Sequence, residues 1–261
     1  MYISLIKSFE TMITVIIPTY NRPSYAIRLI EFYLNFKFIK LIVLDSSHKK
    51  ILKKKYLKNK NIKVINYSST IFLSDKIINS ASHIDTDYVV LCADDDTLVP
   101  KSLKECMFFL DKNPDFVSAQ GRYYPHIFIQ PKQINNYNME FFENQNYNNR
   151  ITSYLKFKYG NTLYALHRTA TFKSIWSKKF KSISQWEFHE FVTTIVSLSY
   201  GKSKNLNLLY HIRTLNNYNF VGGDIKEIYS KKVLNEFEQD LNLINKDLNI
   251  NLHTKDIKNK I

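Results

Sequence analysis

The sequence predicts an α/β protein, a mainly parallel twisted sheet flanked by helices, with a smaller region after it and a C-terminal helix. Three observations carry this. Short β-branched apolar runs alternate with amphipathic helical patterns through the first 110 residues. Polar, chemistry-bearing residues stand where three of those runs end. The chain, at 261 residues and 44% hydrophobic, is long enough to bury a large core.

The elements follow in order. Thr14–Ile17 is a β-branched strand that stops at Pro18. Pro23 suits the first turn of a helix, where its missing N–H costs nothing, and Ala26, Leu29, Ile30, Tyr33 and Leu34 share one face of it. Leu41–Leu44 is the second strand, ending at Asp45, and Ile62–Ile65 is the third. Ser74 caps a helix carrying Ile77, Ile78 and Ala81. Tyr88–Leu91 is the fourth strand and runs into Asp94-Asp95-Asp96. Pro100 opens a helix with Leu103, Cys106, Met107 and Leu110 on one side. Beyond residue 111 the alternation weakens. Phe116–Ala119 reads as a strand, and the Asn-, Gln- and Tyr-rich stretch 130–150 as a surface loop or insertion. Ile183–Tyr200 is a helix with Phe188, Phe191, Val192, Ile195 and Leu198 inward and Gly201 as its stop. Asp224–Leu248 is a charged amphipathic helix at the periphery. No repeat or linker divides the chain, so residues 1–261 read as one domain.

Composition excludes several classes. Charged residues at 23% with that apolar content rule out general disorder. Cys92 and Cys106 cannot build a disulfide framework, and no Cys/His cluster has zinc spacing. No apolar run approaches the ~18–20 residues of a membrane span. Lys7 and Glu10 interrupt Met1–Pro18, which lacks a small-residue cleavage site and so is not a signal peptide. The expectation is a soluble protein of a reducing compartment. The net charge of +14 draws heavily on Lys49, Lys50, Lys53, Lys54, Lys55, Lys58 and Lys60. That run is either a solvated helix face or a patch for anionic lipid or nucleic acid.

In such a sheet, ligands bind beyond the carboxyl ends of the strands. Three polar groups lie there: Pro18-Thr19-Tyr20-Asn21-Arg22, Asp45-Ser46-Ser47, and the aspartate triplet. Neither GxGxxG nor GxxxxGK[ST] follows a strand, which disfavours a dinucleotide or P-loop site. Three adjacent carboxylates repel, and a hard divalent cation such as magnesium or manganese relieves that. Along an extended segment Asp94 and Asp96 share one side and Asp95 takes the other. The plainer reading is an acidic loop capping the helix after Pro100.

Taken together, residues 15–23 (VIIPTYNRP), 41–47 (LIVLDSS) and 88–100 (YVVLCADDDTLVP) resemble, in order and separation, the GT-A nucleotide-sugar glycosyltransferases, specifically the inverting family 2. The resemblance covers about residues 12–110 well and 180–215 loosely. It implies the Rossmann-like GT-A fold, with 12–110 binding the nucleotide sugar, 111–223 forming the acceptor and catalytic part, and 224–261 a helical appendage. It further implies that Pro18, Thr19, Tyr20 and Arg22 line the nucleotide pocket, with Tyr20 near the base, and that Asp45 hydrogen-bonds base or ribose. The triplet matches the D-x-D motif, although Ala93 stands where many members carry the first Asp. Asp94 and Asp96 are then the metal and ribose pair, Asp96 foremost for the metal (Mn2+ or Mg2+), with Asp95 competing.

The family's base lies in an acidic pair on a helix ending in Gly. Counting back from Gly201 puts His189-Glu190 on that pair and Glu190 at the base position, with Glu187 one turn earlier as the other candidate. Glu187 alternatively stabilises the helix start through the dipole. Arg213 matches a basic residue that approaches the diphosphate, and His211 completes the metal site or packs in a strand. Trp176 and Trp186 read as core before sugar platforms. The function so implied is metal-dependent, inverting transfer of a sugar from a nucleoside diphosphate to a hydroxyl of a glycan or lipid-linked acceptor. The setting implied is surface polysaccharide synthesis, in the bacterial cytoplasm or at the inner face of the membrane. The alternatives are a basic module binding nucleic acid or anionic membrane, which leaves the triplet unexplained, and a sugar-nucleotide nucleotidyltransferase, which would open on a Gly-rich loop.

Overall fold

In a computed structural model, residues 12–49, 56, 58–126, 140–156, 161–177, 186–214 and 231–253 are described. Strands β1 (Ile13–Thr19), β2 (Ile39–Asp45), β3 (Ile62–Asn66) and β4 (Tyr88–Leu91) form the parallel half of one sheet. A second half holds β5 (Thr97–Leu98), β6 (Phe116–His126), β7 (Leu166–Arg168) and β8 (Lys202–Thr214). The strand order is β3-β2-β1-β4-β7-β6-β8-β5. β7 runs antiparallel to both β4 and β6, β6 and β8 are parallel, and β5 is antiparallel to β8.

The β-branched runs form these strands because both of their faces are covered. Ile13, Val15 and Ile17 of β1 pack with Leu29, Ile30 and Tyr33 of α1 (Pro23–Tyr33) and with Leu103 and Leu110 of α3 (Pro100–Lys112). Ile16, one residue out of phase, enters the opposite core with Ile77 of α2 (Leu73–Ser80). There it meets Phe172 of α5 (Thr169–Ile175), Ile195 of α6 (Trp186–Tyr200) and Ile244 of α7 (Lys231–Leu248). Gly201 follows α6 directly, as its spacing predicts.

Three local expectations need correction. β1 does not stop at Pro18, which pairs with Leu44; β4 ends opposite Ile16, so on that side no partner requires the missing N–H. Ser74 does not cap α2, because the helix begins one residue earlier with Phe72 at its N-cap, and Ser74 is buried. Within 130–150, residues 140–143 form a 3-10 turn and α4 (Tyr147–Lys156) begins, so this part is packed and not a bare loop. Phe142, Ile151 and Tyr154 supply its apolar stripe, which the flanking asparagines obscure. Arg150 ties it down, donating to the carbonyls of Asn144 (2.6 Å), Gln145 (2.9 Å) and Leu198 (2.8 Å). Residues 130–139, 183–185 and 224–230 of the expected segments lie outside the described residues, as do Lys50, Lys53, Lys54 and Lys55. Lys49, Lys58 and Lys60 are solvent-exposed. Among the described residues no helix is long and apolar enough to cross a membrane.

Candidate active site

The parallel register sets Thr19 beside Asp45 at the carboxyl rim. The loops after β1 and β2 are then stitched together. Ser47 N–H donates to Asp45 Oδ1 (2.8 Å), Asn21 N–H to Ser47 Oγ (2.8 Å), and His48 N–H to Asn21 Oδ1 (3.1 Å). Asn21 sits at φ 54°, a left-handed position that its short polar side chain tolerates. Tyr20 stands 46% exposed above this seam, its hydroxyl 3.1 Å from His48 Nε2.

All three triplet carboxylates are buried, and each has a partner. Asp94 Oδ2 accepts from Thr19 Oγ1 (2.7 Å), and its Oδ1 lies 2.5 Å from an Arg22 nitrogen. The other Arg22 terminal nitrogen reaches Asp95 Oδ2 (3.0 Å), and Arg28 donates to the Asp95 carbonyl (3.0 Å). Asp96 faces the other way: its Oδ2 meets His211 Nε2 (2.8 Å) and its Oδ1 accepts from Thr214 N–H (3.0 Å). The strand-like alternation expected of the triplet is therefore wrong. Asp96 N–H closes a turn on Ala93 O (3.1 Å), and this puts Asp94 and Asp95 on Arg22 while Asp96 turns to β8.

One residue that motif reading missed completes the floor. Lys76 of α2 is 4% exposed and donates to Ser46 Oγ (2.9 Å) and Thr19 O (3.4 Å). Burial pulls its pKa down to about 8, against the opposing pull of Asp94 and Asp45. Its only sequence signal is a lysine beside Ile77, on the stripe that faces inward. Burial likewise lifts Asp94 to about 6, although Thr19's hydrogen bond and Arg22's charge oppose it.

A pH test follows from Asp94 and a second buried group. His167, whose ring contacts Thr162 O at 2.7 Å, is held down to about 4 by burial. Its stabilising contribution is present above its unfolded pKa and is lost as pH falls through about 4. Asp94 is raised, so its contribution is present below its unfolded pKa and lost as pH rises through about 6. Between these values the two slopes oppose each other. In urea denaturation between pH 4 and 7, Asp94→Asn is expected to expose the His167 slope, losing about 3 kcal/mol toward acid. His167→Gln should gain stability toward acid by the same order, and two variants that track the wild type would contradict both assignments.

The second half of the sheet supplies the other wall. His211, fully buried on β8, lies between Tyr123 (ring centroids 4.8 Å) and Tyr164 (5.2 Å). Its Nδ1 has no hydrogen-bond partner among the described residues, and its Nε2 faces Asp96 Oδ2. Burial raises the Tyr164 phenol well above its usual range, and the charges of Glu190 and Asp96 add to this while Arg213 opposes. Glu190, Asp96 and Arg213 thus all act electrostatically on Tyr164. Arg213 is exposed, Glu190 half-buried, and the Glu187 side chain lies outside the described residues. Trp176 is buried and stacks on His189 at 5.9 Å, a core residue; the Trp186 side chain is not among those described. Cys92 and Cys106 are buried, free thiols, Cys92 pushed up to about 12 by burial and so not nucleophilic at neutral pH.

Residues 14–185, more than half of the chain, match the model of glycosyl transferase family 2. The chain belongs to that family. The match runs from β1 through the triplet and the Arg22 and Lys76 positions, and ends before α6, so Glu190, His211 and Arg213 stand outside it. No curated protein matches the chain. Among solved structures it is similar to S. aureus TarS, with a TM-score of 0.60 and 16% identity over 93% of this chain and 40% of that one. It is also similar to TarS residues 1–349, with a TM-score of 0.62 and 18% identity over 93% and 67%. At such identities the likeness shows the fold: this family 2 chain has the GT-A glycosyltransferase architecture. It spans 40% of the length of the longer TarS chain.

Proposed function

We propose that this glycosyltransferase moves a sugar from a nucleoside diphosphate to a hydroxyl of a glycan or lipid-linked acceptor, with inversion. The observation that carries the proposal is the convergence of Thr19, Asp45 and the buried triplet on one rim beside the cations Arg22 and Lys76. Asp45, Tyr20 and the loop from Pro18 then take the base and ribose. Arg22, held by Asp94 and Asp95, and the exposed Arg213 meet diphosphate charge electrostatically. Glu190 accepts the proton of the acceptor hydroxyl while its oxygen bonds to the anomeric carbon and the bond to the diphosphate breaks. Attack from the side opposite the leaving group inverts that carbon.

A divalent cation, Mn2+ or Mg2+, fits the donor set. Asp96 Oδ2 and His211 Nε2 lie 2.8 Å apart, an oxygen and a nitrogen that would exchange their mutual contact for the cation. Among the described residues no cluster of three or more His, Cys, Asp or Glu side chains could hold an ion by itself, so phosphate oxygens would complete the coordination. Asp95 and Asp94 are the remaining acidic candidates. When bound, the cation stabilises the charge of the departing diphosphate. The positive balance of the chain suits work beside an anionic surface, consistent with a lipid-linked acceptor at the cytoplasmic face of a membrane in polysaccharide synthesis.

The test is a thermal-shift screen of nucleoside diphosphates with and without Mn2+. A ligand at a hundredfold excess over its Kd adds about 2.7 kcal/mol, which for a chain of this size raises the midpoint by about 5–10 °C. At least one diphosphate should do so, and more strongly with Mn2+. A chain that responds to none would overturn the proposal.

A further inference from the structure

We propose that Tyr33, on α1 and apart from every motif that carries the family likeness, is a positioning residue that fixes the aspartate triplet for donor binding; the inference rests on the nucleotide-sugar reading above. The two-residue strand β5 follows the triplet directly and lies at the end of the sheet. One of its edges pairs with β8, Thr97 opposite Ile212 and Leu98 opposite His211. Among the described residues its other edge has no strand beside it. The Tyr33 hydroxyl takes that place, accepting from Leu98 N–H (2.8 Å) and donating to Leu98 C=O (3.0 Å). A single hydroxyl thus satisfies both backbone groups of a residue that is 0% exposed, groups that burial would otherwise leave orphaned.

The consequence reaches the carboxylates. Leu98 is in register with His211, and His211 Nε2 holds Asp96 Oδ2, whose other oxygen takes Thr214 N–H from the same strand. The hydroxyl also lies 3.7 Å from Cys92 Sγ, where the same loop leaves β4. Tyr33 therefore grips the loop at both ends, Cys92 before the triplet and Leu98 after it. Its role is geometric: the phenol is fully buried and raised well above its usual pKa, so it stays neutral and carries no charge to the site.

Tyr33→Phe keeps the ring and its packing but orphans Leu98 N–H and C=O, which frees β5 to shift and loosens the Asp96–His211 pair. Global destabilisation alone would mimic this, so the comparison is Tyr88→Phe. Tyr88 is also a buried tyrosine, with its hydroxyl 2.6 Å from Asp111 Oδ1, but it opens β4 at the end opposite the triplet. The experiment is calorimetric titration of the full chain and both variants with UDP, GDP and CDP in Mn2+, alongside their melting midpoints. Both variants should melt earlier. Tyr33→Phe should bind about tenfold more weakly or worse in the Mn2+-dependent part, the scale of a lost buried hydrogen bond, while Tyr88→Phe binds within about twofold of wild type. Wild-type affinity in Tyr33→Phe, or equal weakening of both variants in step with their melting, would overturn this inference alone. A wild-type chain that binds none of the three nucleotides overturns the nucleotide-sugar reading, and this inference with it.

Discussion

Glu190→Gln is expected to lower turnover by about 10²–10⁴-fold while donor affinity stays within about twofold. A base that takes the acceptor proton acts only as the transition state forms, so removing it lowers kcat and kcat/KM together. The amide keeps the shape and hydrogen-bonding reach of the carboxylate but cannot accept the proton. The position suits the task. Glu190 lies on the second turn of α6, half-buried, with its charge felt by Tyr164 in common with that of Asp96. Glu187→Gln should be the milder change. A larger loss at Glu187 would exchange the two roles, and wild-type transfer by both variants would move the base elsewhere.

Asp96→Asn should cost at least about 100-fold in the Mn2+-dependent affinity for a nucleoside diphosphate and little in the metal-free affinity. Losing an outer-shell partner of a metal already costs 10–100-fold, at about the lower bound for a direct ligand. The amide can still accept from Thr214 N–H, which keeps the loop in place, but it is a poor ligand for a hard cation. Asp94→Asn should be gentler toward metal and harsher toward the loop, because Asp94 is engaged by Thr19 and Arg22. Unchanged metal-dependent binding in both variants, measured by calorimetry, would refute the metal assignment.

The parallel half of the fold was readable because its signals are local. A β-branched run such as Val15–Ile17 can be satisfied only between two covered faces, and its polar terminus then falls on the rim with Asp45. What escaped depends on distant contacts. Lys76 reads as an ordinary helix lysine until α2 is laid over Ser46 and Thr19. The turn at Ala93–Asp96 separates Asp96 from Asp94 because β8, more than a hundred residues later, supplies His211 and Thr214. Tyr33 occupies a core position of α1, as its periodicity predicts, yet its hydroxyl serves a loop that no pattern connects to it. The helix from Tyr147 escaped because its asparagine-rich exposed side outweighs a narrow apolar stripe.

The most direct test of the account is release of free nucleoside diphosphate from a panel of nucleoside diphosphate sugars in Mn2+, measured for the wild-type chain, Asp96→Asn and Glu190→Gln. Water serves as acceptor, which makes the Glu190 effect smaller than in true transfer but leaves the Asp96 effect intact. The account predicts release from at least one donor by the wild type, abolished by Asp96→Asn and reduced by Glu190→Gln. Release that neither substitution alters, or wild-type binding of a diphosphate without cleavage of any corresponding sugar donor, would contradict it.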